Sequence, residues 1–582
     1  MIVYRPQRFR ADPRSFLSQL RSAADQAGAG VPAHELVRDL LIETGALESA
    51  LADTIFPDTD SLDSRTDQCR TASLAVAHVL WHSWHGRAEG TKRWWDRFRL
   101  ALEGIEPRQL PREVEINRPE GYAYYSLYPE MYVEAAKRCH AVLGNVPATC
   151  VGLRSIGSSL SAVVAASLAE MGCPVESFTV RPRGHPYART CRIDPQLAAQ
   201  MISSPQATFL VIDEGPGISG SSIAGAVRML HDLGIPDERI CLFPSWRTDG
   251  SHLRSPGARG CWTRNRQFTT GFEEVWLESG RLTAVFPGEL RDFSGGAWRR
   301  VIYPNAAAYP AVQPQHERRK YLLGSGAAAG NPKLLRFAGL GRGIAAKVRR
   351  AESLAAAGFT PAPEHTAHGF VVQSFVAGHP VSPGEADAQL IEVMASYLAH
   401  LCRAHPSEPS VSDSSLREMI AVNVSEGLRD SRLEQRALDL PAGSWAQRPV
   451  ELDGRMLAHE WIRTSAGYLK VDAMDHHDDH FFPGCQDIAW DLAGAAVELT
   501  LDRAAEQHLV DRYRTLSGDQ TIAERLPFYS IAYLAFRLGY ARLAAGVMGE
   551  SDDGKKFMMD SHRYAGLLSR RLNALSMAGS SA

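Results

Sequence analysis

The stretch Leu210-Val-Ile-Asp-Glu-Gly-Pro-Gly-Ile-Ser-Gly-Ser-Ser222 constrains the fold more than any other part of this chain. Residues 207–212 are apolar and β-branched, the pattern of a strand buried on both faces of a parallel sheet. Asp213 and Glu214 follow at its C-terminal end, the edge of such a sheet where ligands bind. Gly215, Gly217 and Gly220 let the backbone turn tightly, and Ser219, Ser221 and Ser222 supply hydroxyls and a cap for a helix over residues 223–233. Pro216 fixes one torsion of this loop and removes one donor. The carboxylates suit sugar hydroxyls, and the loop with its helix N-terminus suits a phosphate.

In this order, strand, acidic pair, small-residue loop and helix resemble the phosphoribosyl-pyrophosphate motif of type I phosphoribosyltransferases. The resemblance implies that Asp213 and Glu214, the candidate catalytic pair, hold the ribose, and that Ile218, Ser219, Gly220, Ser221 and Ser222 hold its 5′-phosphate. A second strand-loop-helix unit precedes it: Thr149-Cys-Val-Gly-Leu, then Arg154-Ser-Ile-Gly-Ser-Ser159, then an alanine-rich helix over residues 160–171. In the family this place is the pyrophosphate loop, which assigns that role to Arg154, Ser155 and Gly157. The basic loop Arg181-Pro-Arg-Gly-His-Pro-Tyr-Ala-Arg189 falls where the family has a mobile flap, so Arg181 and Arg183 are expected to neutralise pyrophosphate. Solvated arginines pairing locally are the other reading of that loop.

Residues 15–110 carry apolar side chains at helical spacing and read as a helical cap. His78, His82 and His85 lie in it; packing of an amphipathic helix explains them better than a metal site. Pro, Gly and Ala crowd residues 287–315, as at a domain junction. The division expected is a helical region over 1–115, a phosphoribosyltransferase-like domain over 116–290, a linker over 291–318 and a second domain over 319–582. The fold class is α/β: a helical cap with a Rossmann-like parallel sheet, followed by an α+β kinase-like domain.

That second domain resembles the aminoglycoside phosphotransferase and choline kinase type, through Tyr468-Leu-Lys-Val-Asp-Ala-Met-Asp475 and Gln486-Asp-Ile-Ala-Trp-Asp-Leu-Ala493. The resemblance implies Asp475 as the magnesium ligand with Asp472 second, Asp487 as the later acid, and ATP as the nucleotide. Arg336 takes the strand position of the kinase lysine, with Glu352 as its helix partner. No His-Gly-Asp catalytic loop precedes Asp475. Residues 456–463 read as a strand, paired through Thr464-Ser-Ala-Gly467 with residues 468–474 as a hairpin. Asp453 then stands where a metal-binding Asn would be, His459 and Glu460 become strand residues, and a catalytic base is missing. These departures weigh against kinase activity. The run Asp475-His-His-Asp-Asp-His480 suits either a divalent metal, with His476 and His480 on one helical face, or a solvated polar turn.

A net charge of −3 gives no reason to expect nucleic acid or an anionic membrane as partner. Nine cysteines without a Cys-x-x-Cys pair read as reduced thiols of a cytoplasmic protein. The function expected is ribosyl-phosphate transfer to or from a nitrogenous base, with phosphoribosyl pyrophosphate or a nucleotide as ligand and Mg2+ as cofactor; a homodimer is compatible with it. The alternatives are a nucleotide-sugar sensor carrying a pseudokinase domain, and a small-molecule phosphotransferase.

Overall fold

The computed structural model describes residues 1–582 except 6, 29, 325–330, 441–446, 482 and 580–582. Its contacts divide the chain into two compact units. One holds Gln7–Pro287 and Gly339–Arg342; the other holds Met1–Pro6, Gly288–Ala338 and Gly343–Ala582.

In the first unit, β1 (Arg8–Ala11) pairs antiparallel with β2 (Val114–Asn117). Between them run α1 (Pro13–Gln26), α2 (His34–Ile55), α3 (Ser64–Trp84) and α4 (Ala88–Gly104). Asp12 and Asp63 cap α1 and α3 by accepting from the backbone N–H groups of Arg14 and Arg65. Helices α5 (Glu120–Tyr124) and α6 (Pro129–Leu143) lead into the sheet.

The sheet is built from β3 (Ala148–Leu153), α7 (Ile156–Glu170) and β4 (Val175–Val180), a short ribbon of β5 (Pro182–Arg183) and β6 (Thr190–Cys191), then α8 (Pro195–Met201), β7 (Thr208–Ile212), α9 (Ser221–Asp232), β8 (Ile240–Phe243), α10 (Ala258–Arg264), β9 (Arg266–Gln267) and α11 (Arg281–Val285). Strand order is β4-β3-β7-β8-β9, parallel throughout. The chain builds outward from β3 in one direction and from β7 in the other, so the C-terminal ends of β3 and β7 flank a topological switch point. Every residue of β3 is buried, and a Cβ at Gly152 would meet Ser161 Oγ at 2.3 Å and the Gly157 carbonyl oxygen at 2.4 Å. Glycine there lets α7 lie directly against the strand.

The second unit opens with an antiparallel sheet ordered β10-β11-β12-β14-β13. Its strands are β10 (Leu290–Asp292), β11 (Lys320–Leu323), β12 (Lys333–Phe337), β13 (Pro363–Ala367) and β14 (Phe370–Ser374), with α12 (Arg299–Ile302) between the first two and α13 (Ile344–Ala356) packed against the sheet through Ala351. The segment expected to be a linker is thus folded. It adds β10 to the sheet, and Trp298, Tyr303 and Tyr309 from it line a cavity.

Beyond β14 comes the helical part: β15 (His379–Pro380), α14 (Ala388–Ala404), α15 (Asp413–Leu428), α16 (Ser431–Leu438), β16 (Pro449–Val450), β17 (Trp461–Thr464), β18 (Gly467–Lys470), β19 (Gln486–Asp487), α17 (Ala489–Glu498), α18 (Arg503–Ser517), α19 (Ile522–Met548) and α20 (Asp552–Gly579). Its core gathers Tyr397, Trp461, Trp490, Tyr513 and Tyr533, all fully buried. The second unit is thus a small sheet with one helix followed by a helical lobe, the order of elements expected from the sequence. The hairpin turns at residues 464–467, but its first strand begins at Trp461 and its second ends at Lys470, shorter at both ends than the sequence pattern suggests. Among the described residues, no helix is long and apolar enough to cross a membrane.

Candidate functional site

A cavity of about 980 Å3 lies in the second unit between the sheet and the helical part. Leu334 and Arg336 of β12, Leu354 of α13 and Phe375 of the connector after β14 form one wall. Glu460, Lys470, Asp472 and His476 meet at one end of it. They come from the turn before β17, the last residue of β18 and the two turns after it, so a short hairpin carries most of the polar chemistry.

Charges here are matched closely. Lys470 Nζ lies 2.6 Å from Glu460 Oε2 and 3.0 Å from Asp453 Oδ2, and neither Lys470 nor Asp453 reaches solvent. Asp453 also accepts from Tyr397 Oη at 2.9 Å and from the Met456 N–H at 3.2 Å. Burial alone would raise the Asp453 pKa, but the Lys470 ammonium and His476 together outweigh it and hold the carboxyl well below its ordinary range. Burial also works against a charged His476, yet hydrogen bonding to Asp453 and Asp472 prevails and lifts it to about 9. Asp472 is approached by Lys320 Nζ at 3.0 Å and Arg336 Nε at 2.7 Å. Its backbone is left-handed, with φ of 57°, a conformation Asp tolerates better than most residues.

The sequence-derived residues fall into place differently. Arg336 does not pair with Glu352, which is exposed; it binds Asp475 Oδ1 at 2.6 Å, and Lys347 of α13 binds Asp475 Oδ2 at 3.0 Å. The helix presents Lys347 to the site and turns Glu352 away. Asp475 is fully buried under these two cations and is therefore a counter-ion rather than an open metal ligand. Asp487 accepts from the N–H groups of Arg448 and Ala489 and pairs with Arg525 at 2.9 Å, which anchors the start of α17. His476 to Asp478 form a single 3-10 turn, so His476 and His480 share no helical face; His480 packs edge-on against Tyr4. Glu460 sits in the turn before β17, not within the strand.

Whether this end of the cavity fits a divalent ion can be judged from its donors. One ligand atom from each of Asp453, Glu460 and His476 lies within 4.8 Å of the others, a donor set of suitable chemistry. The Lys470 ammonium, however, already stands between the two carboxylates. Asp472 and Asp475 are taken by Lys320, Arg336 and Lys347. As arranged, these residues do not fit a protein-held metal.

In the first unit, Asp213 and Glu214 stand at the switch point. Glu214 Oε2 accepts from the Gly121 N–H at 2.8 Å, and Tyr132 Oη donates to the Asp213 carbonyl at 2.7 Å. Burial, with Asp213 adding its charge, pushes Glu214 up to about 8; burial raises Asp213 to about 6. The loop that follows contains the cis Gly215–Pro216 bond and Gly220 at φ of 68° before α9 begins. Ile218 points outward, the Ser221 N–H bonds Ser219 Oγ, Ser221 Oγ donates to the Pro186 carbonyl, and Ser222 lies in the first turn of α9.

The pyrophosphate assignment does not hold for the arginines. Arg154, 3 % exposed, binds Asp53 at 2.8 Å and also Asp60; Arg181 binds Asp53; Arg183 binds Asp60 at 2.7 Å. Asp53 belongs to α2 and Asp60 follows it, so two carboxylates of the helical cap engage all three arginines. Ser155 has a strained φ of 116°, its N–H and carbonyl both held by Ser49 Oγ at 3.2 Å. Gly157 is needed for packing: a Cβ there would meet the Ile212 carbonyl at 2.8 Å.

Lys320, Lys347, Lys470, Asp53 and Asp60 escape a sequence reading. Only Lys470 leaves a signal: alternation along β18 places it on the same buried face as Tyr468. The histidines of α3 pack as expected, His78 stacking on Trp94 with ring centroids 3.7 Å apart, and both His78 and His82 pairing with Glu170.

No protein-family model matches the chain, and no curated protein matches it in sequence. Among solved structures, the chain is similar to a choline/ethanolamine kinase family protein from Mesorhizobium loti, at 16% identity and a TM-score of 0.33, covering 52% of this chain and 99% of that one. A choline kinase from Streptococcus pneumoniae aligns at 13% identity and a TM-score of 0.33, covering 50% of this chain and 98% of its own. A macrolide 2′-phosphotransferase from Brachybacterium faecium aligns at 15% identity and a TM-score of 0.32, covering 49% and 96%. The likeness concerns about half of the chain.

Proposed function

We propose that the second unit is a small-molecule phosphotransferase-type domain that takes a nucleotide, ATP in the first instance, in its cavity and directs a phosphoryl group to a small hydroxyl-bearing acceptor. The observation that carries this reading is the meeting of Glu460, Asp472 and His476 with Lys320 and Arg336 at one end of a cavity of about 980 Å3. That volume is at the upper end of small-molecule sites and leaves room for two ligands. Lys320 and Arg336 are held by Asp472 at 3.0 Å and 2.7 Å, so a polyphosphate entering this end would exchange with Asp472 at the same cations and free its carboxylate to accept from a hydroxyl. Magnesium enters only as the counter-ion of the nucleotide, since Asp453 and Glu460 are bridged by Lys470. Calorimetry with ATP and magnesium, followed by transfer of labelled phosphate to a panel of amino alcohols, sugars and macrolides, tests the reading. Absence of nucleotide binding removes it; binding without transfer to any acceptor favours a nucleotide-sensing pseudokinase.

A second reading concerns the first unit, which we propose binds a ribose phosphate. It is favoured by Asp213 and Glu214 at the switch point with the glycine- and serine-rich loop directly after them. Because Arg154, Arg181 and Arg183 are paired internally, this reading extends to a 5′-phosphorylated ribose and not to pyrophosphate release. Titration with phosphoribosyl pyrophosphate and magnesium, and with ribose 5-phosphate, should give similar affinities that fall together in Asp213→Asn. Pyrophosphate release with any nitrogenous base would restore the transferase reading.

A further inference from the structure

The disagreement between the donor set at the end of the cavity and the cation found among it is informative. Asp453, Glu460 and His476 are brought together as they would be around a divalent ion, yet the space between the carboxylates holds a side chain of the same protein.

The ammonium of Lys470 has three N–H groups, and three oxygens surround it: Glu460 Oε2 at 2.6 Å, Asp453 Oδ2 at 3.0 Å and the Val471 carbonyl at 3.2 Å. No donor is left over for a phosphate or an acceptor molecule. Its backbone is fixed as well. The Lys470 N–H donates to the Phe359 carbonyl at 2.8 Å, and the next N–H, of Val471, donates to the Glu460 carbonyl at 2.8 Å. The side chain is completely buried and cannot swing into solvent without breaking the hairpin. Two cations cannot share a gap of this size, because at about 3 Å their repulsion in a buried site far exceeds what either gains from a shared carboxylate. Occupation by Lys470 and by a metal ion therefore exclude one another.

We infer that Lys470 is a built-in cation standing where a divalent ion would otherwise lie between Asp453 and Glu460, so that this acidic pair is closed to metal in the native protein. A single fixed positive charge replaces an exchangeable double one. The acidic pair then keeps its geometry whether or not metal is supplied, and any ion in the cavity must arrive on its ligand. The inference does not depend on phosphoryl transfer, because the ion can be titrated in the absence of nucleotide.

Manganese titration of the full chain, read by the electron paramagnetic resonance of free Mn2+, tests it. In the wild-type background Glu460→Gln should leave Mn2+ binding unchanged within about twofold, since that carboxylate holds no ion. Lys470→Met should gain one equivalent of Mn2+, bound at least about tenfold more tightly than any site of the wild type, and Lys470→Met combined with Glu460→Gln should lose it. Mn2+ should also raise the melting temperature of Lys470→Met and not that of the wild type. Wild-type Mn2+ binding that weakens about tenfold in Glu460→Gln overturns the inference, as does a folded Lys470→Met that gains no ion. Should Lys470→Met fail to fold with or without Mn2+, the comparison of wild type with Glu460→Gln decides alone.

Discussion

Arg336 and Asp475 meet at 2.6 Å in an ion pair that is 4% exposed on one side and 1% on the other. Lys347 closes the opposite oxygen of the same carboxylate at 3.0 Å. Arg336 keeps Asp472 at 2.7 Å and Lys347 keeps Asp478 at 3.2 Å, but loss of Asp475 leaves the two buried cations with one anion fewer between them. Asp475→Asn should therefore lower the stability of the second unit by about 3–5 kcal/mol, measured by urea unfolding. A loss under about 1 kcal/mol would show that the carboxylate is not the keystone of this cluster and would return it to candidacy as a ligand-binding group.

The same reasoning applies to Asp60 in the first unit, which serves Arg154, Arg183 and the Arg181 N–H together. Asp60→Asn should cost about 3–5 kcal/mol and should release the arginines, so that inorganic pyrophosphate binds the variant more tightly than the wild type. Unchanged pyrophosphate affinity in a folded variant would mean that these arginines do not face a ligand site even when freed.

Glu214 supplies the pH dependence. Its pKa is raised to about 8 in the folded protein from the ordinary glutamate value of about 4.5, so between these the folded state holds a proton that the unfolded chain has released. The stabilisation is complete below about pH 4.5 and is lost as pH rises through about 8. Partial solvent access tempers the size, and a fall on the order of 3 kcal/mol between pH 5 and pH 9 is expected. Because other groups titrate in the same range, the measurement is the difference between wild type and Glu214→Gln at each pH. A difference that stays flat, or one that grows in favour of the wild type at high pH, contradicts the assignment.

Two glycines should part company on substitution by alanine. At Gly152 the new Cβ would collide with the Gly157 carbonyl oxygen at 2.4 Å, a backbone atom that cannot step aside, and a loss of about 3 kcal/mol is expected. At Gly217 nothing lies within 4 Å of the new carbon and φ is not positive, so the effect should stay within about 0.5 kcal/mol. Thermal unfolding of the two variants side by side checks both.

Local pattern made several elements legible. The apolar run ending at Ile212 forms β7, the glycines and serines after it form the loop into α9, and the small residues at 464–467 turn the hairpin. What could not be read depends on partners far apart in the chain. Asp475 lies 139 positions beyond Arg336, and Asp53 lies 101 before Arg154. No periodicity spans such separations, and each arginine in isolation looks equally suited to a ligand. Helix phase was the other obstacle. Lys347, Ala351 and Leu354 share the buried face of α13, while Glu352, the acidic candidate partner of Arg336, falls on the outer face. Residues 291–318 misled through composition, since proline and glycine there serve a folded cavity wall carrying Trp298 and Tyr303.

The second unit includes the first few residues of the chain. The Ile2 N–H donates to Asn423 Oδ1 at 2.7 Å and its carbonyl accepts from Asn423 Nδ2 at 2.9 Å, while Tyr4 bridges to Phe481. Those residues are synthesised before the partners they join, more than four hundred positions further along the chain. Residues 2 and 4 can take their places only where Asn423 and Phe481 are already set, so a substitution at Ile2 or Tyr4 acts on the helical part from the opposite end of the sequence.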